Sequence, residues 1–319
     1  MTKVQMVKVE ADDDGIRLDR WFKRHYPDLT FSALAKMIRK GQVRVDGKKV
    51  QPGDRVEEGA EIRVPPIGPA PNPRPAKPEL EPLSDADKAF AEEMILHIDE
   101  AVIVLNKPAG LATQGGSGVD MHVDRLSEAL KFGYDARPKL AHRLDKDTSG
   151  VLILGRTAGA TAKLTEAFRH RDAEKLYWAL LKGVPAIREG KIVLALEKRA
   201  GPHGDKMEAV RGGKPARTLY RVVDNAGQRA SWVEFQPLSG RMHQLRVHAM
   251  SGLGIPIVGD GKYGGAEAFL TGGISRKLHL HARSLTIAHP LGGELSVTAP
   301  MPKHMAESWN MLAFNENDA

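Results

Sequence analysis

The 319-residue chain contains no cysteine. Disulfides, thiolate metal sites and a cysteine nucleophile are therefore excluded. No uninterrupted apolar run approaches membrane-spanning length, because Asp99, Glu100, Asn106 and Lys107 break the best candidate. The amino-terminal stretch MTKVQMVKVEADDDG lacks the apolar centre of a signal peptide. The phosphate-cradling patterns GxxxxGK[ST] and GxGxxG are also missing, which leaves a bound nucleotide cofactor without support. These absences lead to the expectation of a cytoplasmic protein with no membrane contact, no metal and no cofactor.

What is present is a basic chain with an ordinary hydrophobic share. Lys and Arg number 47 against 40 Asp and Glu, and hydrophobic residues make up 41%. The length allows two or three domains with a sizeable core. A cationic excess fits a polyanionic partner such as nucleic acid, and equally fits a merely well-solvated surface.

The clearest boundary is PPIGPAPNPRPAKPELEP, residues 65–82, which holds eight of the 20 prolines. Prolines at that density exclude a helix interior or a central strand, so the segment reads as an extended linker. It separates a small module, about 14–64, from a large one, about 90–315. In the small module, Ile16, Leu18, Trp21 and Phe22 have near-helical spacing. A second helix is expected from Thr30 or Ser32 as N-cap, through Leu34, Met37 and Ile38, to a stop at Gly41. QVRVDGKKV then reads as a hairpin around Asp46-Gly47. Its cations, Lys36, Arg39, Lys40, Arg44, Lys48 and Lys49, are suited to a phosphate backbone.

The large module mixes strands (VIVLNKP, VLILGR, KLYWALLKG, RASWVEFQPLSG, LTIAHP) with a helix at 156–172. Its elements do not alternate as in a doubly wound sheet, so an α+β domain on a largely antiparallel sheet is expected. Two places carry unusual chemistry. In HRLDKDTSG (142–150), Asp145 stands among Arg143, Lys146 and Asp147. It serves either as a nucleophile or electrostatic stabiliser, or as a loop acid bonded to the N–H groups of the Thr148-Ser149-Gly150 turn. In SGRMHQLRVHAMSG (239–252), Arg241, His243, Gln244, Arg246 and His248 crowd nine residues, which read as a strand with a polar face suited to phosphates or base edges. The spacing of His243 and His248 matches no zinc pattern. Tyr177, Asp260 and Tyr263 are each compatible with purely structural roles.

Together these segments resemble the RluA-type pseudouridine synthases. The resemblance rests on six motifs in order: NKPAGL (106–111), HRLDKDTSG (142–150), KLYWA (175–179), GRMHQLRVH (240–248), GDGKYG (259–264) and LHLHA (278–282). The small module is similar to an S4-like RNA-binding domain. The resemblance implies a pseudouridine synthase fold, a mixed sheet with flanking helices, and uridine isomerisation that needs no cofactor. It implies Asp145 as the reacting carboxylate, Tyr177 as the active-site tyrosine and Arg246 as the basic partner of Asp145. It further implies that Arg143 displaces the target nucleotide and that Leu245 packs near the base. His243 and Gln244 join the RNA-binding set.

The S4-like module, the basic balance and TQGGSG (113–118) point to 23S ribosomal RNA or an assembling large subunit as partner of a monomer. TQGGSG is similar to an H-G-G-S-G stretch in the branch that modifies large-subunit ribosomal RNA. Gln114 in place of that histidine, GYDARPK (133–139) and residues 199–213 depart from it. The alternatives are a synthase acting on transfer RNA and a non-catalytic assembly factor. A glycoside hydrolase pairing Asp145 with Asp147 is a further alternative, but it leaves the S4-like module and the Arg/His cluster without a purpose.

Overall fold

A computed structural model describes residues 4–67, 81–116, 118–200 and 205–319. Most of the proline-rich stretch at 65–82 lies outside the described residues. The chain divides into two units, Met1–Pro82 and Leu83–Ala319.

The small unit holds β1 (Gln5–Lys8), α1 (Leu18–His25), α2 (Phe31–Arg39), β2 (Arg44–Val45) and β3 (Glu61–Val64). Its sheet runs β1-β3-β2, all antiparallel. Leu18, Trp21 and Phe22 of α1 pack with Leu34 and Ile38 of α2 over Val43, Val56 and Ile62, which gives both helices their apolar stripes a common core. Thr30 is the cap of α2, its hydroxyl accepting the Ala33 N–H at 3.3 Å. Asp46 and Gly47 both have positive φ, and the Lys48 N–H donates to the Val45 carbonyl at 2.9 Å, as in a tight hairpin turn. The expected return strand does not form, because β2 takes β3 as its partner. β1 lies ahead of residue 14, where the sequence reading placed no element.

The large unit contains α3 (Asp85–Glu93), β4 (Ile95–Ile98), β5 (Val102–Lys107), α4 (Val123–Leu126), β6 (Lys139–Leu140), β7 (Ser149–Gly155), α5 (Ala158–His170) and β8 (Glu174–Leu181). After these come β9 (Glu189–Arg199), β10 (Lys206–Ala209), β11 (Lys214–Ala226), β12 (Ala230–Pro237), α6 (Gln244–Val247), α7 (Gly261–Gly264), β13 (Leu280–Ala288), β14 (Glu294–Thr298) and α8 (Lys303–Met311). The sheet order is β10-β9-β11-β12-β8-β13-β7-β5-β4, with β14 on β13 and β6 on β7. The β13–β7 pair is parallel and the other pairs are antiparallel, so the expected α+β class holds.

Strand alternation splits the centre of the sheet into two apolar faces. Val102, Val104, Val151 and Ile153 meet Ala160 and Leu164 of α5 on one side. Ile103, Leu105, Leu152 and Leu154 meet Val123, Leu126, Leu130 and Leu144 on the other. The second face is the one that carries Leu144, the neighbour of Asp145, into the core. At the parallel crossing Gly150 has φ +108°, and a Cβ there would lie 2.2 Å from the Ala282 carbonyl oxygen. Only glycine permits β7 and β13 to approach this closely.

Candidate active site

Asp145 lies in the loop between β6 and β7, and the chain on either side of it is tied down. The Thr113 hydroxyl donates to the Leu144 carbonyl at 2.6 Å and accepts the Leu144 N–H at 3.2 Å. On the other side, the Lys146 carbonyl accepts the Gly110 N–H at 2.9 Å and Lys107 Nζ at 3.0 Å. Lys107 Nζ also donates to the carbonyls of Pro108 (2.9 Å) and Leu111 (2.8 Å). Lys107 is fully buried, and burial pushes its ammonium down to about 7, opposed by the charges of Asp147 and Asp145. The NKPAGL motif thus acts as a clamp on the loop that presents Asp145.

The Asp145 side chain is 28% exposed. Among the described residues its carboxylate accepts no hydrogen bond, whereas its backbone carbonyl takes the Thr148 N–H at 3.1 Å. The loop therefore closes through backbone and leaves the carboxylate to the pocket. That pocket, about 530 Å³, is lined by Asp145, Asp147, His243 and Arg246, with Lys146, Lys262, Arg276 and Lys277 adding cations. Its volume falls in the range of small-ligand sites.

The segment expected as a strand at 239–252 is instead α6 followed by a wide helical turn, His248–Gly252. Residues 244–249 are all buried, so neither a two-residue nor a 3.6-residue period is expressed in them. The change re-sorts the side chains. Arg246 forks onto Asp260, with Nε–Oδ2 at 2.9 Å and Nη2–Oδ1 at 2.6 Å, and not onto Asp145. Asp260, itself 1% exposed, also caps the Tyr263 N–H at 3.2 Å. Gly259 makes this possible, since a Cβ there would sit 2.0 Å from the Lys277 carbonyl oxygen. Gln244 is buried: its Oε1 accepts from Ser239 and the Arg241 N–H, and its Nε2 donates to Arg217 O and Thr218. Its amide is saturated inside the protein, so it builds the site and does not face RNA. Leu245 joins the apolar cluster that also receives Tyr177.

His243 is the cation-capable side chain nearest Asp145, with Nε2 3.8 Å from Oδ2. It occupies the left-handed region at φ +51°, and its Nδ1 lies 2.7 Å from the Tyr263 hydroxyl. Tyr177, on β8, has no partner for its hydroxyl among the described residues, and burial together with the Asp145 charge pushes its phenol well above the usual range. Arg143 is exposed and donates to Gln114 Oε1 at 3.3 Å. In the small unit, Lys36, Arg39, Lys40, Lys48 and Lys49 are exposed, whereas half-buried Arg44 braces the carbonyls of Gly41 and Gly47. Sequence reasoning passed over Lys107 and Thr113 and left Asp260 and Tyr263 open. Their motifs were visible, but their partners lie far off in the chain.

The RNA pseudouridylate synthase family model matches residues 101–251, and the S4 domain model matches residues 16–62. The chain is 36% identical over 297 residues to a Rickettsia bellii protein named ribosomal large subunit pseudouridine synthase C, covering 90% of this chain and 95% of that one. The chain belongs to the RNA pseudouridine synthases. A protein of the same name from Escherichia coli K12 is 35% identical over 307 residues, covering 93% of each. The solved structure titled human RNA pseudouridylate synthase domain containing 4 superimposes with a TM-score of 0.60 at 31% identity, spanning 72% of this chain and 97% of that one. As a pseudouridine synthase the protein is an isomerase acting on RNA, which removes the glycoside hydrolase alternative.

Proposed function

We propose that the protein converts specific uridines of large-subunit (23S) ribosomal RNA to pseudouridine in the cytoplasm, acting as a monomer and without a cofactor, with Asp145 as the reacting carboxylate. The observation that carries this reading is the Asp145 loop. A carboxylate that accepts no hydrogen bond among the described residues, clamped on both sides, is aimed into a pocket bordered by cations. The relatives named ribosomal large subunit pseudouridine synthase C support ribosomal RNA over transfer RNA.

In this reading the target uridine leaves its stack, at a cost of a few kcal/mol, and cationic contacts to the backbone offset that cost. Exposed Arg143 is available to the displaced strand. The N1–C1′ bond breaks with Asp145 beside C1′, the uracil turns, C5 bonds to C1′, and the C5 proton is released while the freed N1 takes up a proton from solvent, so that no atom is gained or lost overall. Tyr177 stacks on the base as a neutral phenol, since its burial and the nearby carboxylate oppose loss of its proton. Asp260 holds the Arg246 guanidinium in place, so that its charge reaches Asp145 across the pocket and not through a direct bond.

Tritium release from large-subunit ribosomal RNA labelled at uridine C5 tests the proposal. Wild-type protein should release tritium, and Asp145→Asn, which keeps size and removes charge, should bind RNA equally and release none. Binding by both without release would support the assembly-factor alternative. Release from transfer RNA alone would move the substrate there.

A further inference from the structure

A polar chain in the large unit that the reaction above leaves unused runs away from Asp145, through His243 and Tyr263, to β10 at the edge of the sheet. The Tyr263 hydroxyl accepts the Met207 N–H of β10 at 3.1 Å, so its own hydrogen is free to be donated. His243 Nδ1, 2.7 Å away, is the acceptor within reach. The rings meet edge to face, with centroids 5.6 Å apart. Tyr263 is in turn fixed by Asp260 at its N–H and lies under the Arg246 guanidinium at 5.1 Å. A nitrogen that accepts carries no hydrogen, so the neutral imidazole holds its hydrogen on Nε2, the atom that faces Asp145 Oδ2.

We infer that His243 is a positioning residue for Asp145: a neutral imidazole, locked by Tyr263 in the Nε2–H tautomer, that engages Oδ2 and thereby turns Oδ1 toward C1′ of the target nucleotide. The inference rests on the reading of Asp145 as the reacting carboxylate. Its surroundings favour the neutral form. Burial leads in lowering the proton affinity of His243, Arg246 and Lys262 add to this, and Asp145 and Asp260 oppose it. The 3.8 Å gap between Nε2 and Oδ2 is an open contact of the kind that tightens once a substrate fills the site. A residue meant only to grip phosphate has no need of a fixed tautomer, nor of a left-handed backbone that holds one ring nitrogen against a half-buried tyrosine.

Two measurements on the full chain test this. The first is the ¹⁵N spectrum of histidine-labelled protein at pH 7, with the His243 signals assigned by their loss in His243→Asn. The wild type should show Nε2–H and a bare Nδ1, and Tyr263→Phe should show mixed tautomers. An imidazolium, an Nδ1–H form, or a tautomer unmoved by Tyr263→Phe would overturn the inference.

The second measurement is single-turnover tritium release at saturating protein. Asn tolerates the left-handed backbone and reaches Tyr263 but not Asp145. His243→Asn should therefore slow release about 100-fold, with RNA affinity unchanged. His243→Gln, whose amide nitrogen extends about as far as Nε2, should recover at least about tenfold of that loss. Equal slowing in both variants, or weakened RNA binding with an unchanged rate, would return His243 to a structural or RNA-contact role. Failure of the wild type itself to release tritium would instead defeat the uridine-isomerase reading, and the tautomer spectrum would still decide the geometry.

Discussion

At the scale of single residues, the site depends on side chains that never touch the pocket surface. Lys107 is buried, and its ammonium satisfies three carbonyls, one of them the residue after Asp145. Lys107→Met keeps the length and removes every donor. The loss of three charge-assisted bonds is partly offset by relief of a buried charge. The unfolding free energy should therefore change by less than about 2 kcal/mol, while single-turnover release falls at least about tenfold as Asp145 loses its fixed position. Urea unfolding beside tritium release checks both, and an unchanged rate would show that Gly110 and Thr113 hold the loop unaided. Asp145 and its motif neighbours were legible as candidates because a carboxylate among cations is a local pattern. The fork of Arg246 onto Asp260 was not, since no rule of spacing joins a residue on α6 to one 14 positions further along the chain.

At the scale of elements, the parallel junction between β7 and β13 brings the Asp145 loop against the LHLHA strand. Gly150 stands at that crossing with a positive φ and no room for a Cβ. Gly150→Ala should cost at least about 3 kcal/mol of stability, since it combines strain with a backbone clash. Thr157→Ala, which removes the α5 cap bond to the Ala160 N–H, should cost only about 1 kcal/mol. Equilibrium unfolding of the two variants should keep that order, and equal losses would contradict the account of the junction. Sequence patterns located β5, β7, β8, β12, the second half of β13 and α5, whose apolar runs or periods are strong. They missed β1, β9 and β11 among others, and misread α6, where burial on every side erases the period.

At the scale of the whole molecule, several histidines lie in the interior of the large unit as neutral rings. His142 is pushed down to about 3 by burial, its Nε2 accepting the Ile153 N–H at 3.1 Å. Burial also takes His248, His279 and His281 down to about 4. Their folded values lie below the unfolded value of about 6.5, so the unfolded chain binds protons first as pH falls. Stability is therefore full above pH ~6.5 and declines toward pH ~4, by about 1.4 kcal/mol per pH unit for each such histidine. Urea midpoints measured from pH 7.5 to 4.5 should fall steadily below 6.5, and a flat profile would contradict neutral burial.

By itself the sequence determined the family, the two kinds of module and the strongest strands, and it singled out Asp145 as the candidate carboxylate. Each of these is written in contiguous residues, as a motif or as an alternation that burial on one face imposes. Only the tertiary structure decided that 244–247 is helical, that Arg246 belongs to Asp260, that Lys107 clamps the Asp145 loop from 39 residues away, and that Tyr263 holds His243. Buried polar groups must find partners wherever the fold supplies them. Those partners are chosen by chain crossings in space, which no local spacing records.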